Sequence, residues 1–155
     1  MEFSEQGKKE FEKIISKAVT KQSALISTLH IAQREFGYIT PEAMDYVAKL
    51  VDLSPARVQG AVTFYTMFYT KPVGKYVLQV CSTLSCALRS SESLFDHISK
   101  KLGISKGETT KDGRFTLVKV ECLGSCGTSP VMQVNEDYHE NLTLEKVDQL
   151  LESLK

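Results

Sequence analysis

YVLQVCSTLSC at residues 76–86 and FTLVKVECLGSC at residues 115–126 are the two stretches that decide the fold of this chain. Each begins with a short apolar, β-branched run and ends in a pair of cysteines. The run from Tyr76 to Val80 is typical of a β-strand that is covered on both faces of a sheet. Phe115 to Val120 predicts a second strand. If these strands are neighbours, their ends bring the four sulfurs together and form a cage of ligands.

The rest of the second half alternates helices with strands. A helix is predicted from Ser90 to Leu102, closed by Gly103, and a turn at residues 111–113 leads into the second of the two strands. A third strand is predicted from Val131 to Val134, and an amphipathic helix from Thr143 to Leu154. The resulting order of β, α, β, β and α predicts an α/β layer.

The first part of the chain, from about residue 7 to residue 68, is predicted to be a succession of helices. Apolar residues recur there at helical spacing, as in Leu25, Leu29, Ala32 and Phe36. Each such stripe predicts a helix that packs on the core of a bundle. Two Ser/Thr-Pro pairs mark helix starts, because proline is tolerated at the first helical position. These pairs are Thr40-Pro41 and Ser54-Pro55.

A short breaker, Lys71-Pro72-Val73-Gly74, separates the helical part from the alternating part. We therefore predict an α+β chain with two domains. Residues 1–72 form an N-terminal helical bundle, and residues 73–155 form an α/β domain. At this length a real hydrophobic core forms without help from disulfides or metal, so the cysteines need another explanation.

All four cysteines lie in the second domain, as Cys81 and Cys86 and as Cys122 and Cys126. In a reducing cytosol such a set favours metal binding over permanent disulfides. Structural zinc usually takes shorter Cys-x2-Cys knuckles, whereas a [2Fe–2S] cluster needs four thiolates spread over two irons. The spacing therefore favours an iron–sulfur cluster. Zinc, a redox dithiol and unrelated buried thiols remain the alternatives from spacing alone.

Charge and hydropathy exclude two classes of partner. Nineteen Lys and Arg residues balance nineteen Asp and Glu residues, whereas a domain that binds duplex DNA presents an excess of basic residues. The longest apolar run, residues 61–69, is much shorter than the roughly 20 residues of a membrane-spanning helix. The N-terminus has no targeting character. We expect a cytoplasmic protein with no nucleic-acid partner, whose association with a membrane is only indirect.

Four motifs around and between the cysteines resemble one known family. In chain order they closely resemble the small [2Fe–2S] subunit of NADH:quinone oxidoreductase, the E subunit of respiratory complex I. The match extends from about residue 20 to residue 150. The motifs are VTFYTMF at 62–68, CSTLSC at 81–86, GETTKDG at 107–113 followed by FTL, and VECLGSC at 120–126 followed by MQVN at 132–135.

The resemblance implies a helical bundle followed by a thioredoxin-like ferredoxin domain, in which Cys81, Cys86, Cys122 and Cys126 bind one [2Fe–2S] cluster. It also implies that NADH and FMN bind to a partner flavoprotein subunit, from which this chain receives single electrons. The chain agrees in having neither a Gly-x-Gly-x-x-Gly motif nor a P-loop motif. We expect an electron carrier without an NADH site of its own, which serves as a subunit of this oxidoreductase on the cytoplasmic face of the membrane.

Two alternative functions follow from the same residues. The chain is also similar to the equivalent diaphorase subunit of NAD(P)-dependent hydrogenase or formate dehydrogenase complexes, although residues 107–117 and 132–135 look more like complex I. A structural zinc module is the more remote alternative. A thioredoxin-type thiol oxidoreductase is disfavoured, because neither cysteine pair has the Cys-x-x-Cys spacing.

Two further stretches receive no role at the cluster. Phe64, Tyr65, Phe68 and Tyr69 share neighbouring faces at helical spacing, so we expect them to be buried in the bundle rather than to contact a partner. The polar stretch NEDYHEN at residues 135–141 is predicted to be a loop between the third strand and the last helix. We predict no function for that loop.

Overall fold

In the computed structural model, which describes residues 1–154, four strands form one mixed sheet in the second half of the chain. The spatial order of the strands is β2-β1-β3-β4. β1 pairs with β2 in parallel and with β3 in antiparallel orientation. This central place explains why all residues of β1 after Tyr76 are buried. The strands are β1 (Tyr76–Cys81), β2 (Phe115–Val120), β3 (Met132–Val134) and β4 (Asp137–His139).

Three helices accompany the sheet: α5 (Leu84–Leu88), α6 (Ser91–Leu102) and α7 (Leu144–Ser153). α6 lies in the crossover that a parallel pair of strands requires, and it packs against both β1 and β2. It ends at Gly103, which has the left-handed φ of 66° that glycine adopts without strain. The core between these elements contains Leu78, Leu94, Ile98, Leu117, Met132 and Val147.

The sequence prediction for this half is confirmed for the first three strands and for α6 and α7, with ends that differ by one or two residues. It is incomplete at two places. α5 was not predicted, and it holds Cys86 in a helix rather than in a loop. Residues 135–141 are not a simple loop, because β4 lies within them and pairs with β3 as a hairpin.

The first half of the chain is helical, as predicted. Thr40 caps the start of one helix by accepting a hydrogen bond from the amide of Ala43, and Gly37 ends the helix before it with a φ of 81°. No helix among residues 1–154 is long and apolar enough to cross a membrane. The helices of this half are α1 (Glu5–Lys17), α2 (Leu25–Phe36), α3 (Pro41–Val51) and α4 (Pro55–Phe64), with a 3-10 turn at Lys21–Ala24.

The prediction of helix as far as Phe68 is wrong for the last residues. α4 ends at Phe64, because Tyr65 turns to an extended conformation with a ψ of 114°. The aromatic residues that follow therefore do not share helix faces. Phe68 is buried in the bundle core as expected, whereas Phe64 is 76% exposed and contradicts the prediction of burial.

Backbone contacts group the chain into two compact units, Met1–Pro72 and the residues from Val73 onward. Each unit has a hydrophobic core of its own. The core of the first is built around residues of α2, α3 and α4, and the core of the second around the sheet. That each unit is a domain able to fold alone stays a prediction.

Candidate metal centre

The cysteines lie beyond one edge of the sheet, where the parallel strands β1 and β2 end. Cys81 is the last residue of β1 and lies opposite Val120, the last residue of β2. Cys122 follows β2 after one residue. Because parallel strands run in the same direction, their ends meet on the same side of the sheet. The two cysteine motifs are therefore neighbours.

The first cysteine pair is buried. Cys81 and Cys86 form a small apolar cluster with Val131, against which Leu123 packs. The amide of Cys81 donates a hydrogen bond of 3.1 Å to the carbonyl of Val131. Cys86 lies in α5, which begins after Thr83. This pair is thus shielded from water by the protein.

The second pair is exposed. The Sγ atoms of Cys122 and Cys126 are 3.9 Å apart. The amide of Gly124 donates a hydrogen bond of 3.3 Å to the Sγ of Cys122. Gly124 has a φ of 77°, so the tight turn that directs this amide at the sulfur favours glycine. Cys126 begins a single 3-10 turn, Cys126–Thr128.

Hydrogen bonds also connect the two motifs with each other. The hydroxyl of Thr83, in the first motif, lies 3.3 Å from the Sγ of Cys81 and also bonds to Cys122 in the second. In the opposite direction, the amide of Leu123, in the second motif, bonds to the thiol of Cys81. The structure therefore brings the four predicted residues into one group.

These surroundings shift the thiols in different directions. Burial raises the pKa of Cys81, but hydrogen bonds from Thr83, Leu123 and Cys86 outweigh burial and leave that pKa lowered. Hydrogen bonds from Gly124, Cys126 and Thr83 lower the pKa of Cys122. Burial, with the neighbouring Cys81, raises the pKa of Cys86 to about 11. Because metal ions bind thiolates, metal binding at Cys86 must displace a proton.

The arrangement of the sulfurs in pairs decides which metal group they fit. A tetrahedral metal with thiolate bonds of about 2.3 Å holds two sulfurs about 3.8 Å apart, close to the 3.9 Å between Cys122 and Cys126. Within residues 1–154, no three His, Cys, Asp or Glu side chains converge on a site for a single ion. A structural zinc ion needs four ligands around one point, whereas a [2Fe–2S] cluster divides four thiolates between two irons. The donor set fits the cluster.

A second group of residues, which the sequence did not mark, lies beside the exposed pair. Glu140 accepts a hydrogen bond of 2.7 Å from the hydroxyl of Thr128 and another from the hydroxyl of Ser125. These bonds lower the pKa of the Glu140 carboxyl. The hydroxyl of Tyr138 donates a bond of 2.9 Å to the carbonyl of Leu123. No sequence signal identifies Tyr138 and Glu140, because their partners are brought to them by the β3–β4 hairpin.

Comparison with known proteins gives one consistent family. The model of the thioredoxin-like [2Fe–2S] ferredoxin family matches residues 11–155. The second E subunit of the NADH-quinone oxidoreductase of Rhizobium meliloti (strain 1021) is 44% identical over 148 residues, which cover 96% of this chain and 88% of that protein. "NADH-quinone oxidoreductase subunit 2" of Thermus thermophilus is 45% identical over 136 residues, with coverages of 87% and 75%.

A solved structure of different size shares the fold. A chain of an NAD+-reducing [NiFe]-hydrogenase in the air-oxidized state superposes with a TM-score of 0.73 and 21% sequence identity. The similar region covers 84% of this chain and 22% of the hydrogenase chain. At this identity the likeness concerns the fold alone.

Proposed function

The chain belongs to the thioredoxin-like [2Fe–2S] ferredoxin family, and from this membership we propose that it is the electron-transfer subunit of an NADH:quinone oxidoreductase, complex I. The observation that carries the proposal is the group of two cysteine pairs at the ends of β1 and β2. The identity of 44% to an E subunit of such a complex, over 88% of that protein's length, supports the choice of complex.

The four cysteines would hold the cluster in pairs. The separation of 3.9 Å supports one iron bound by Cys122 and Cys126, which leaves Cys81 and Cys86 for the other. When bound, a [2Fe–2S] cluster supplies one-electron redox chemistry. The amides of Gly124 and Leu123 and the hydroxyl of Thr83 would then donate to thiolate sulfurs. Such donors stabilise added negative charge and so raise the reduction potential.

The redox partner is proposed to be a separate flavoprotein subunit that binds NADH and FMN. This chain has no nucleotide-binding motif of its own, so the two-electron chemistry of NADH needs another subunit. The chain would bring its exposed cysteine pair near that subunit and keep the other pair away from water. We propose that it occupies a peripheral position on the cytoplasmic face of the membrane, attached through the complex.

The first experiment is an absorption spectrum of the purified protein before and after dithionite, followed by EPR of the reduced sample at low temperature. We expect a brown protein that bleaches on reduction and gives one spin-half signal, with about two irons per chain. A colourless chain that holds zinc after anaerobic purification would overturn the proposal in favour of a structural module.

Co-purification decides between the two kinds of complex. An affinity-tagged chain, isolated from its own cells, is expected to carry the NADH-binding flavoprotein together with membrane-arm subunits of complex I. Recovery of hydrogenase or formate dehydrogenase subunits instead would assign the chain to a soluble diaphorase. The higher identity to the relatives named as complex I subunits favours the first outcome.

Substitution of one ligand tests the site. Cys126→Ala leaves one iron with a single thiolate, so we expect the purified variant to lose the cluster, measured as iron and sulfide per chain. Ser125→Ala is the matched control: it removes a neighbouring hydroxyl, while Thr128 still donates to Glu140. The control should keep the cluster. A full complement of iron in Cys126→Ala would contradict the ligand assignment.

A further inference from the structure

The loop that carries the exposed cysteine pair has little regular structure of its own. This loop, residues 122–128, contains only the 3-10 turn at its end, and most of its residues are exposed. Its internal support consists of a few bonds, such as the 3.2 Å bond from the amide of Thr128 to the carbonyl of Ser125. Something outside the loop must fix it if its two sulfurs are to keep one separation.

Residues 138–141 supply that support through three contacts. Tyr138 donates from its hydroxyl to the carbonyl of Leu123, at 2.9 Å. Glu140 accepts from the hydroxyls of Ser125 and Thr128. The amide of Asn141 donates to the carbonyl of Thr128, at 2.6 Å. The contacted positions follow Cys122 directly and lie on both sides of Cys126, so each cysteine has a tethered neighbour.

The residues that make these contacts are themselves fixed to the sheet. Tyr138 lies in β4 opposite Gln133 of β3, and β3 pairs with the central strand β1. Asn141 has a φ of 47°, a left-handed conformation that asparagine adopts more readily than most residues. Beyond it, the amide of Leu142 bonds to the carbonyl of Pro130. The support therefore runs from the sheet to the loop through short connections.

We propose that residues 138–141 are a clamp on the loop of residues 122–128, in which Tyr138 and Glu140 are positioning residues for Cys122 and Cys126. They act through the backbone and hydroxyls of the loop, and they hold the two sulfurs at the separation that one iron needs. The inference rests on the proposed function, since the cysteines are metal ligands only there. It assigns a role to the polar stretch for which the sequence indicates none.

The test compares Glu140→Ala, Glu140→Gln and Tyr138→Phe with the wild-type protein. The matched control is Glu108→Ala, because Glu108 accepts a 2.6 Å bond from the amide of Ser105 in a different exposed loop of the same unit. Three quantities are measured: amide hydrogen exchange of residues 123–128 in the metal-free chain, the rate of cluster release to a chelator, and the EPR spectrum of the reduced protein.

We expect Glu140→Ala and Tyr138→Phe to raise both rates about five-fold, the factor that one net hydrogen bond is worth. Their EPR signals should broaden, because the ligands then occupy a spread of positions. Glu140→Gln keeps a side-chain oxygen as acceptor and should return both rates close to the wild-type values. Glu108→Ala should match the wild type in all three measurements.

Wild-type exchange and release rates in Tyr138→Phe and Glu140→Ala would overturn the clamp. Faster exchange with an unchanged release rate and EPR signal would overturn the positioning role. If Glu140→Ala does not fold, as judged by circular dichroism, Tyr138→Phe still decides the matter. A wild-type protein without a cluster would instead defeat the proposed function, and exchange in the metal-free chain would then still show whether the loop is clamped.

Discussion

Gly74 occupies a position just before β1 where the backbone of a second segment approaches closely. A Cβ atom placed on it would lie 2.9 Å from backbone atoms of Arg114 and Phe115. Its amide also donates a buried hydrogen bond of 2.6 Å to the hydroxyl of Thr116. The approach therefore depends on the absence of a side chain rather than on an unusual backbone angle.

Gly74→Ala is expected to lower the free energy of unfolding by about 1–3 kcal/mol, the usual cost of overpacking against atoms that cannot move aside. Urea denaturation measures the change. Gly60→Ala is the control, because Gly60 lies within α4 and a Cβ there meets open space. Alanine favours the helix over glycine, so the control should gain about 0.5–1 kcal/mol. An equally stable Gly74→Ala would contradict the close approach.

At the residue scale, what the sequence can reveal about the site follows from side-chain chemistry. The cysteines were identifiable because few side chains bind iron and because their spacing restricts the kind of metal group. Glu140 and Tyr138 were not identifiable, since carboxyls and hydroxyls are common on every surface. Only the pairing of β3 with β4 brings them to the loop of residues 122–128.

At the scale of elements, α6 and α7 are joined by a small charged group. Asp148 of α7 accepts hydrogen bonds of 2.8 Å from Lys101 and from His97 of α6. The Lys101 ammonium and then His97 lower the pKa of the Asp148 carboxyl below its usual 3.8. The ionised carboxylate is thus favoured in the folded state. Its contribution to stability is present above the unfolded pKa and is lost as the pH falls through the lowered folded value.

We therefore expect Asp148→Asn to lower the melting temperature at neutral pH by a small amount, because the group is exposed and screened by solvent. The difference from the wild type should persist down to about pH 4 and disappear at lower pH, where Asp148 is protonated in both states. Thermal melts of both proteins between pH 2 and pH 7 measure this. A difference that stays constant throughout would mean that the ion pair is not its cause.

The elements that the sequence predicted are those with a regular apolar pattern. β1, β2, α6 and α7 have such patterns and lie against the core. α5 has only five residues, too few for a helical period, and its N-cap residue Thr83 makes no side-chain cap bond. β4 reads Asp-Tyr-His and follows an Asn-Glu turn, in which Asn135 has a φ of 53°. This hairpin lacks the Asn-Gly signal that usually marks such turns.

For the whole molecule, the division of the apolar core has a direct consequence. The second unit contains a complete core and all four cysteines, from β1 through α7. We expect residues 73–155, expressed alone, to fold cooperatively and to retain the cluster. Circular dichroism, urea denaturation and iron analysis test this, with the full chain as reference. Aggregation of this fragment, with no cooperative transition, would mean that the two units depend on each other.

The parallel pairing of β1 with β2 also determines when the site can exist during biogenesis. Cys81 and Cys86 leave the ribosome well before Cys122, because the crossover through α6 lies between the two strands. β1 is then completed on its other side only by β3, which begins at Met132. Chains truncated after residue 131 contain every cysteine, yet we expect them to retain no iron on purification. Cellular machinery that delivers iron and sulfide therefore acts on a nearly completed polypeptide, late in translation or after release from the ribosome.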